Sequence, residues 1–206
     1  MALTIYGSPQ SRTMRTLWAV AELGLAYKHV NLDWDDPHLK SDGFLALNPA
    51  GAIPTIIDDG VVVADSMAIN LYLARRYGQS GETPLFPPEP AAEAAILQWS
   101  FWAQGHLEPW LQRDARLQPL LGEHGGLIDD EIVRHLQTLN RILSHQPWLA
   151  AEHFTIGDLN VAGVLSPSRS ATLSLEAFPA VRDWVVRCYA RPHAQAVRLR
   201  YAQPPA

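Results

Sequence analysis

Cysteine is almost absent from this chain. Cys188 is the one thiol in 206 residues, so neither an internal disulfide nor a Cys-x-x-Cys redox pair can form, and the expected compartment is a reducing one. Basic blocks are missing as well. Sixteen Lys and Arg stand against 21 Asp and Glu, a formal net charge of −5, which argues against nucleic acid or an anionic membrane surface as the main partner. No apolar stretch has the length of a membrane span; the richest, residues 91–103, is broken by Glu93 and Gln98. The opening MALTIYGSPQ has no basic n-region and no apolar h-region, so no signal peptide is expected and the expected location is cytoplasmic. The eight histidines are scattered and none falls in a His-Glu-x-x-His arrangement, so no metal site is expected. What is present is a globular composition, 48% apolar and 18% charged, with length for one large domain or two small ones.

The hydrophobic rhythm changes along the chain. Leu3 to Tyr6 reads as a strand. Arg12 to Leu23 carries Met14, Leu17, Trp18 and Ala21 at helical spacing, with Gly24 as its stop. Tyr27 to Leu32 alternates as a strand does, and the Asp-rich stretch 33–43 reads as loop before a short helical patch at Phe44 to Leu47. Thr55–Ile57 and Val61–Ala64 are β-rich runs joined by Asp58-Asp59-Gly60, a hairpin signal. Ser66 to Tyr77 closes this half as a helix with apolar positions on two faces. The order β-α-β, helical loop, β-β-α predicts a parallel crossover pair plus an antiparallel hairpin in a small mixed sheet flanked by helices. Residues 80–90, rich in proline, read as a linker. Beyond it strand signals vanish, and 91–108, 127–144, 157–165 and 181–190 read as helices, the third opened by a Thr155-Ile-Gly-Asp158 capping box. The expected division is therefore 1–79, the linker 80–90, and an all-helical domain 91–206.

Three short stretches carry chemistry. Tyr-Gly-Ser-Pro-Gln-Ser-Arg-Thr, from Tyr6 to Thr13, ends a strand and sets hydroxyls at a helix start. Asn48-Pro-Ala-Gly-Ala-Ile-Pro-Thr55 leads into a strand through Ile53-Pro54; were that bond cis, the Ile53 amide and carbonyl would face outward and pair with an extended peptide. Ala64-Asp65-Ser66 joins a strand to a helix, where a hydroxyl at the N-terminus suits a carboxylate and Asp65 an ammonium group. Such a pair suits the free end of an α-amino acid.

Ser-Pro-x-Ser-Arg after the first strand, Asn-Pro-x-Gly-x-x-Pro before the third, Asp-Ser opening the third helix, a Pro-rich linker and Thr-x-x-Asp in a helical second half together resemble the cytosolic glutathione S-transferases, in particular the bacterial-like enzymes of serine type. The resemblance spans essentially the whole chain. It implies a thioredoxin-like α/β N-terminal domain with a mixed four-stranded sheet, an all-α C-terminal domain, and a homodimer. The implied reaction is addition of the glutathione thiolate to a small hydrophobic electrophile, in detoxification, with glutathione as co-substrate and no tightly bound cofactor. It implies that Ile53, beside a cis Pro54, pairs through its backbone with the cysteinyl unit, that Asp65 and Ser66 hold the γ-glutamyl end, and that Lys40 meets the glycyl carboxylate. Where some relatives have glutamine, this chain has Ala52, so one contact is missing.

A thiol with a pKa of about 8.5 needs about 2.7 kcal/mol of preferential thiolate stabilisation to reach roughly 6.5. One charge-assisted hydrogen bond supplies about 1.5–3 kcal/mol and a helix N-terminus about 0.3–1, so one hydroxyl beside a helix start suffices without a base. Ser11 is the expected catalytic hydroxyl, at the position of the serine-type enzymes. Tyr6 and Thr13 compete with it, and each of the three also reads as a cap or core residue. No cysteine occupies the turn, which disfavours the cysteine-type relatives. The electrophile pocket is expected between the domains, with His106 facing it from a Trp99, Trp102, His106, Trp110 stripe, and Pro109 is expected to kink that helix. Two alternatives remain: a non-catalytic binding module on the same scaffold, and glutathione-dependent peroxide or disulfide reduction.

Overall fold

The computed structural model describes residues 3–111, 125–166 and 173–202. Residues 112–124, 167–172 and 203–206, assigned above to the helical domain, lie outside them. The chain divides into two compact units, Met1–Ser80 with Arg191–Ala206, and Gly81–Ala190.

In the first unit, β1 (Leu3–Tyr6), β2 (Tyr27–Val30), β3 (Thr55–Asp58) and β4 (Val61–Ala64) form one sheet in the order β2-β1-β3-β4. β1 runs parallel to β2 and antiparallel to β3, and β3–β4 is an antiparallel hairpin. Asp59 and Gly60 both take positive φ, 46° and 88°, the geometry a two-residue hairpin needs to follow strand twist. Helices α1 (Thr13–Glu22) and α3 (Ser66–Tyr77) cover one face, and the period-2 alternation of β1 decides what they cover. Leu3 and Ile5 point into a core with Leu17, Val20, Ile56, Ile69 and Leu73, whereas Tyr6 packs on the other face with Leu32, Leu39 and Phe44. There, the stretch read as loop contains a 3-10 turn, Pro37–Lys40, started by the Asp36 carboxylate accepting from His38 N at 2.8 Å, and then α2 (Asp42–Leu47).

One helix escaped the sequence reading. α8 (Pro192–Ala202) belongs by packing to the first unit, not to the helical one. Val197 joins the main core, Arg191 donates Nε and Nη2 to Glu22 at 2.9 and 2.8 Å, and Tyr201 meets Tyr27 hydroxyl to hydroxyl at 3.2 Å. Only Ala194 and Val197 of α8 are buried, too few apolar positions for a periodic signal.

The second unit contains, among the described residues, α4 (Pro90–Trp102), α5 (Gly125–Leu143), α6 (Ile156–Val164) and α7 (Pro179–Tyr189). Just before Pro109 the chain makes a π-helical turn over Ala103–Leu107, with Glu108 N–H donating to Ala103 O. Proline lacks the N–H that would bond Gly105, and its ring crowds that carbonyl; the wider turn just before it absorbs both. The linker is partly core: Leu85 and Phe86 are buried, Leu85 O accepts from Ile156 N at 2.8 Å, and Pro84 O accepts from His153 Nε2 at 2.9 Å. α6 is buried along its length, and Cys188 of α7 is fully buried. No helix of the described residues is long and apolar enough to cross a membrane.

Candidate functional site

The turn after β1 pivots on Gly7. Its N–H donates to Val30 O at 3.0 Å and its carbonyl accepts from His29 Nε2 at 2.7 Å, which ties the turn to β2. Its φ is +138°, and a Cβ there would stand 2.1 Å from Thr13 Oγ1 and 3.0 Å from Ile53 Cβ. Only glycine lets the helix start and the Ile53 loop close on this strand end.

Ser11 precedes the helix cap rather than forming it. Arg12 occupies the cap position and α1 begins at Thr13. The half-buried Ser11 hydroxyl donates to Ser8 O at 2.7 Å, accepts from Thr13 N at 3.1 Å and lies 2.8 Å from Thr13 Oγ1. The other two candidates sit differently. Thr13 is fully buried, and the Tyr6 ring stands edge-on to Phe44 with centroids 5.8 Å apart. Ser8, not weighed as a candidate above, is buried and donates to Gln10 Oε1 at 2.7 Å.

The Ile53-Pro54 peptide bond is cis. The loop presenting it is braced by two residues that sequence reasoning missed. Asn48 Nδ2 donates to Ala52 O at 2.9 Å and to Thr55 Oγ1 at 3.0 Å, and its Oδ1 accepts from Ala50 N at 3.1 Å. Thr55 Oγ1 in turn donates to Ala52 O at 2.9 Å. Asn directly after α2 was the available signal, since Asn side chains bond the backbone two residues on in such turns. Asn48→Ala is expected to loosen the loop. Loss of three bonds from one buried amide should cost about 1–3 kcal/mol of stability. Urea unfolding checks this; an unaltered midpoint would refute the bracing role.

Lys40 lies over the same loop, with Nζ donating to Gly51 O at 3.3 Å. Asp65 N–H donates to Pro54 O at 3.3 Å, so the β4–α3 junction is tied to the cis-proline loop. Asp65 has φ 74° and ψ 131°, a conformation costing a non-glycine residue about 1–3 kcal/mol, and such strain clusters at binding sites. The cap of α3 is the Asp65 carboxylate, which accepts from Met67 N at 2.9 Å and Ala68 N at 3.4 Å. Ser66 is therefore not the cap. Its hydroxyl is buried at the helix N-terminus and has no hydrogen-bond partner among the described residues, an unmet need that a ligand carboxylate would satisfy.

In the helical unit, His106 is exposed on the π turn, with its ring 6.0 Å from that of His135. Trp102 stands edge-on to both Trp99 and His135, at 5.2 and 5.7 Å. Burial pushes His135 below the usual histidine range; the neighbouring Arg134 and His106 add to that, and Glu131 opposes it. Among the described residues, no cluster of three His, Cys, Asp or Glu is arranged to hold a metal ion.

A mixed four-stranded sheet with a cis-proline loop, followed by a helical unit, defines a thioredoxin-like protein with an all-α C-terminal domain. The pattern of the glutathione S-transferase N-terminal domain matches residues 1–75, and that of the family's C-terminal domain matches residues 108–187. The chain is 31% identical to glutathione S-transferase 3 of Zea mays, over 98% of this chain and 96% of that protein. It is 28% identical to the disulfide-bond oxidoreductase YfcG of Escherichia coli, over 92% and 91%. Among solved structures, the glutathione transferase URE2P6 of Phanerochaete chrysosporium in complex with oxidized glutathione superposes with a TM-score of 0.85 at 25% identity, over 97% of this chain and 96% of that one. The chain belongs to the glutathione S-transferase family.

Proposed function

We propose that glutathione lies along this edge of the first unit, with its γ-glutamyl end at Asp65 and Ser66, its cysteinyl backbone at Ile53 and Pro54, its glycyl carboxylate at Lys40 and its sulfur at Ser11. The chain is a glutathione transferase, and its reaction is addition of the glutathione thiolate to a small hydrophobic electrophile. The observation that carries the assignment is the contiguity of the three loops: Gly7 touches both the Ser11–Thr13 turn and Ile53, and Pro54 is bonded to Asp65. One tripeptide therefore spans a carboxylate site at a helix N-terminus, a backbone pairing edge and a hydroxyl. Ser11 is partly exposed and carries a proton that can turn to a ligand, whereas Thr13 is fully buried and the Tyr6 ring packs on Phe44. His106, beside His135 and Trp102, is the residue we assign to the electrophile pocket. The working form is a cytoplasmic homodimer without a tightly bound cofactor, and nucleic acid and membranes are not its partners, in keeping with the −5 net charge.

Ser11→Ala should remove one hydroxyl–thiolate bond, about 1.5–3 kcal/mol, and so raise the pKa of the bound thiol by about 1–2 units. The ultraviolet thiolate absorbance of bound glutathione against pH reads this directly, and turnover below pH 7 should fall at least about tenfold. If Ser11→Ala leaves the titration in place and Tyr6→Phe moves it, Ser11 is not the activating group. A second reading, reduction of peroxides or disulfides by glutathione, is favoured by the likeness to the Escherichia coli oxidoreductase. Turnover on a hydroperoxide against turnover on an activated aryl halide separates the two.

A further inference from the structure

The hydrogen-bond geometry around Ser11 assigns a role to Thr13, and the assignment rests on the reading of Ser11 given above. A hydroxyl has one proton and two lone pairs. Ser11 Oγ has three neighbours: Ser8 O at 2.7 Å, Thr13 N at 3.1 Å and Thr13 Oγ1 at 2.8 Å. A carbonyl cannot donate, so the Ser11 proton points at Ser8 O. The backbone N–H of Thr13 can only donate. The remaining contact must then be donated by the Thr13 hydroxyl. Both Thr13 donors are thus aimed at the two lone pairs of Ser11, and the Ser11 proton is the one hydrogen of the group free to change partner.

We propose that Thr13 is a positioning residue that makes Ser11 a directed donor to the glutathione thiolate. When the thiol ionises, its proton passes to solvent and Ser11 keeps its own. That proton turns from Ser8 O to the sulfur, and Ser8 O still accepts from Ser11 N–H at 3.0 Å. No buried acceptor is stranded by the switch. With its lone pairs filled, Ser11 cannot turn its proton back to Thr13, and a hydroxyl that accepts a hydrogen bond is a stronger donor in the next one. Thr13 does not reach the sulfur itself. It is fully buried, and the Gly7 backbone lies against its hydroxyl so closely that a Cβ there would be 2.1 Å away.

The test titrates the bound thiol by ultraviolet absorbance in wild type, Thr13→Val, Thr13→Ala, Thr13→Ser and Ser11→Ala, with the affinity for S-methylglutathione measured in each. Cooperative strengthening of one charge-assisted bond by 10–30% corresponds to a rise of about 0.1–0.7 pKa unit in Thr13→Val, with Thr13→Ser at the wild-type value. S-methylglutathione, which has no thiol to ionise, should bind all variants within about twofold. Thr13→Ala repeats the measurement if the valine variant fails to fold. A wild-type titration in both Thr13→Val and Thr13→Ala, beside a raised one in Ser11→Ala, overturns this inference and leaves the catalytic role of Ser11 intact. A rise in Thr13→Val as large as that in Ser11→Ala makes Thr13 the direct donor and overturns it too. An unmoved titration in Ser11→Ala is a failure of the Ser11 reading itself.

Discussion

Asp158→Ala should cost about 4 kcal/mol or more and leave the helical unit largely unfolded at ambient temperature. The carboxylate is fully buried and accepts four bonds: from Leu149 N at 2.9 Å and Trp184 Nε1 at 3.0 Å on one oxygen, and from Thr155 N and Thr155 Oγ1 at 2.9 Å each on the other. Burial pushes the Asp158 carboxyl above its usual range, and the four donors pull the other way. The group thus ties together the start of α6, the turn before it and α7. Alanine abolishes the acceptor and leaves up to four buried donors unmet, at about 1–3 kcal/mol each, less the desolvation cost that the carboxylate no longer incurs. Against a total stability of about 5–15 kcal/mol, a loss on this scale is decisive. Asp158→Asn keeps one oxygen but points an amide nitrogen at two donors, so about half the loss is expected. Tryptophan fluorescence in urea reads the effect, because Trp99, Trp102, Trp110, Trp148 and Trp184 all belong to this unit. A midpoint within experimental error of wild type would refute the keystone role of Asp158.

Gly7→Ala is the second large effect, and it strikes function more than fold. A methyl group there meets Thr13 Oγ1 at 2.1 Å, and Thr13, fully buried, has no room to swing aside. The φ of +138° adds backbone strain for any residue with a Cβ. Overpacking and strain each cost about 1–3 kcal/mol, so a loss of about 2–6 kcal/mol is expected. Relief comes only by moving the Ser11 turn away from the Ile53 loop, and a displacement near 1 Å costs about a hundredfold in kcat/KM. Gly24→Ala is the control. Gly24 also has a positive φ, +63°, but open space where the methyl would go, so it should lose about 1 kcal/mol of stability and no activity. Equal kinetic losses in the two variants would show that backbone strain alone, and not the closure of the turn on Ile53, governs the site.

Much of the fold was legible because its signals are local. The bounds of β1, β4 and α3 follow from period and from residues at their ends: the strand Leu3–Tyr6 stops at Gly7, and Ser66–Tyr77 runs between Asp65 and Gly78. The hairpin is written in Asp59-Gly60. The turns at Gly7, at Ile53-Pro54 and at Asp65-Ser66 were legible as turns for the same reason, since each holds a glycine, a proline or a capping residue. α8 was not, because its place depends on Arg191 and Tyr201 meeting Glu22 and Tyr27, 169 and 174 positions earlier. Nor was the exchange of roles at the β4–α3 junction, where Asp65 caps the helix and Ser66 is left without a partner: both residue types cap well, and only backbone geometry separates them.

The same division runs through the activating turn. Composition and spacing alone established a globular chain, a mixed sheet followed by helices, and hydroxyls at the first helix start. They left Tyr6, Ser11 and Thr13 as rivals, because any of the three residue types is able to hydrogen-bond a thiolate. The folded chain gives each of them contacts that no local pattern encodes, and the proposal for Ser11 rests on those. Tyr6 is turned by strand alternation onto Phe44, Thr13 is sealed under Gly7, and Ser11 is held by Thr13 with its proton on Ser8 O. Which hydroxyl serves is a matter of where each proton points and what lies over it, and those are properties of packing between loops, not of the residues themselves.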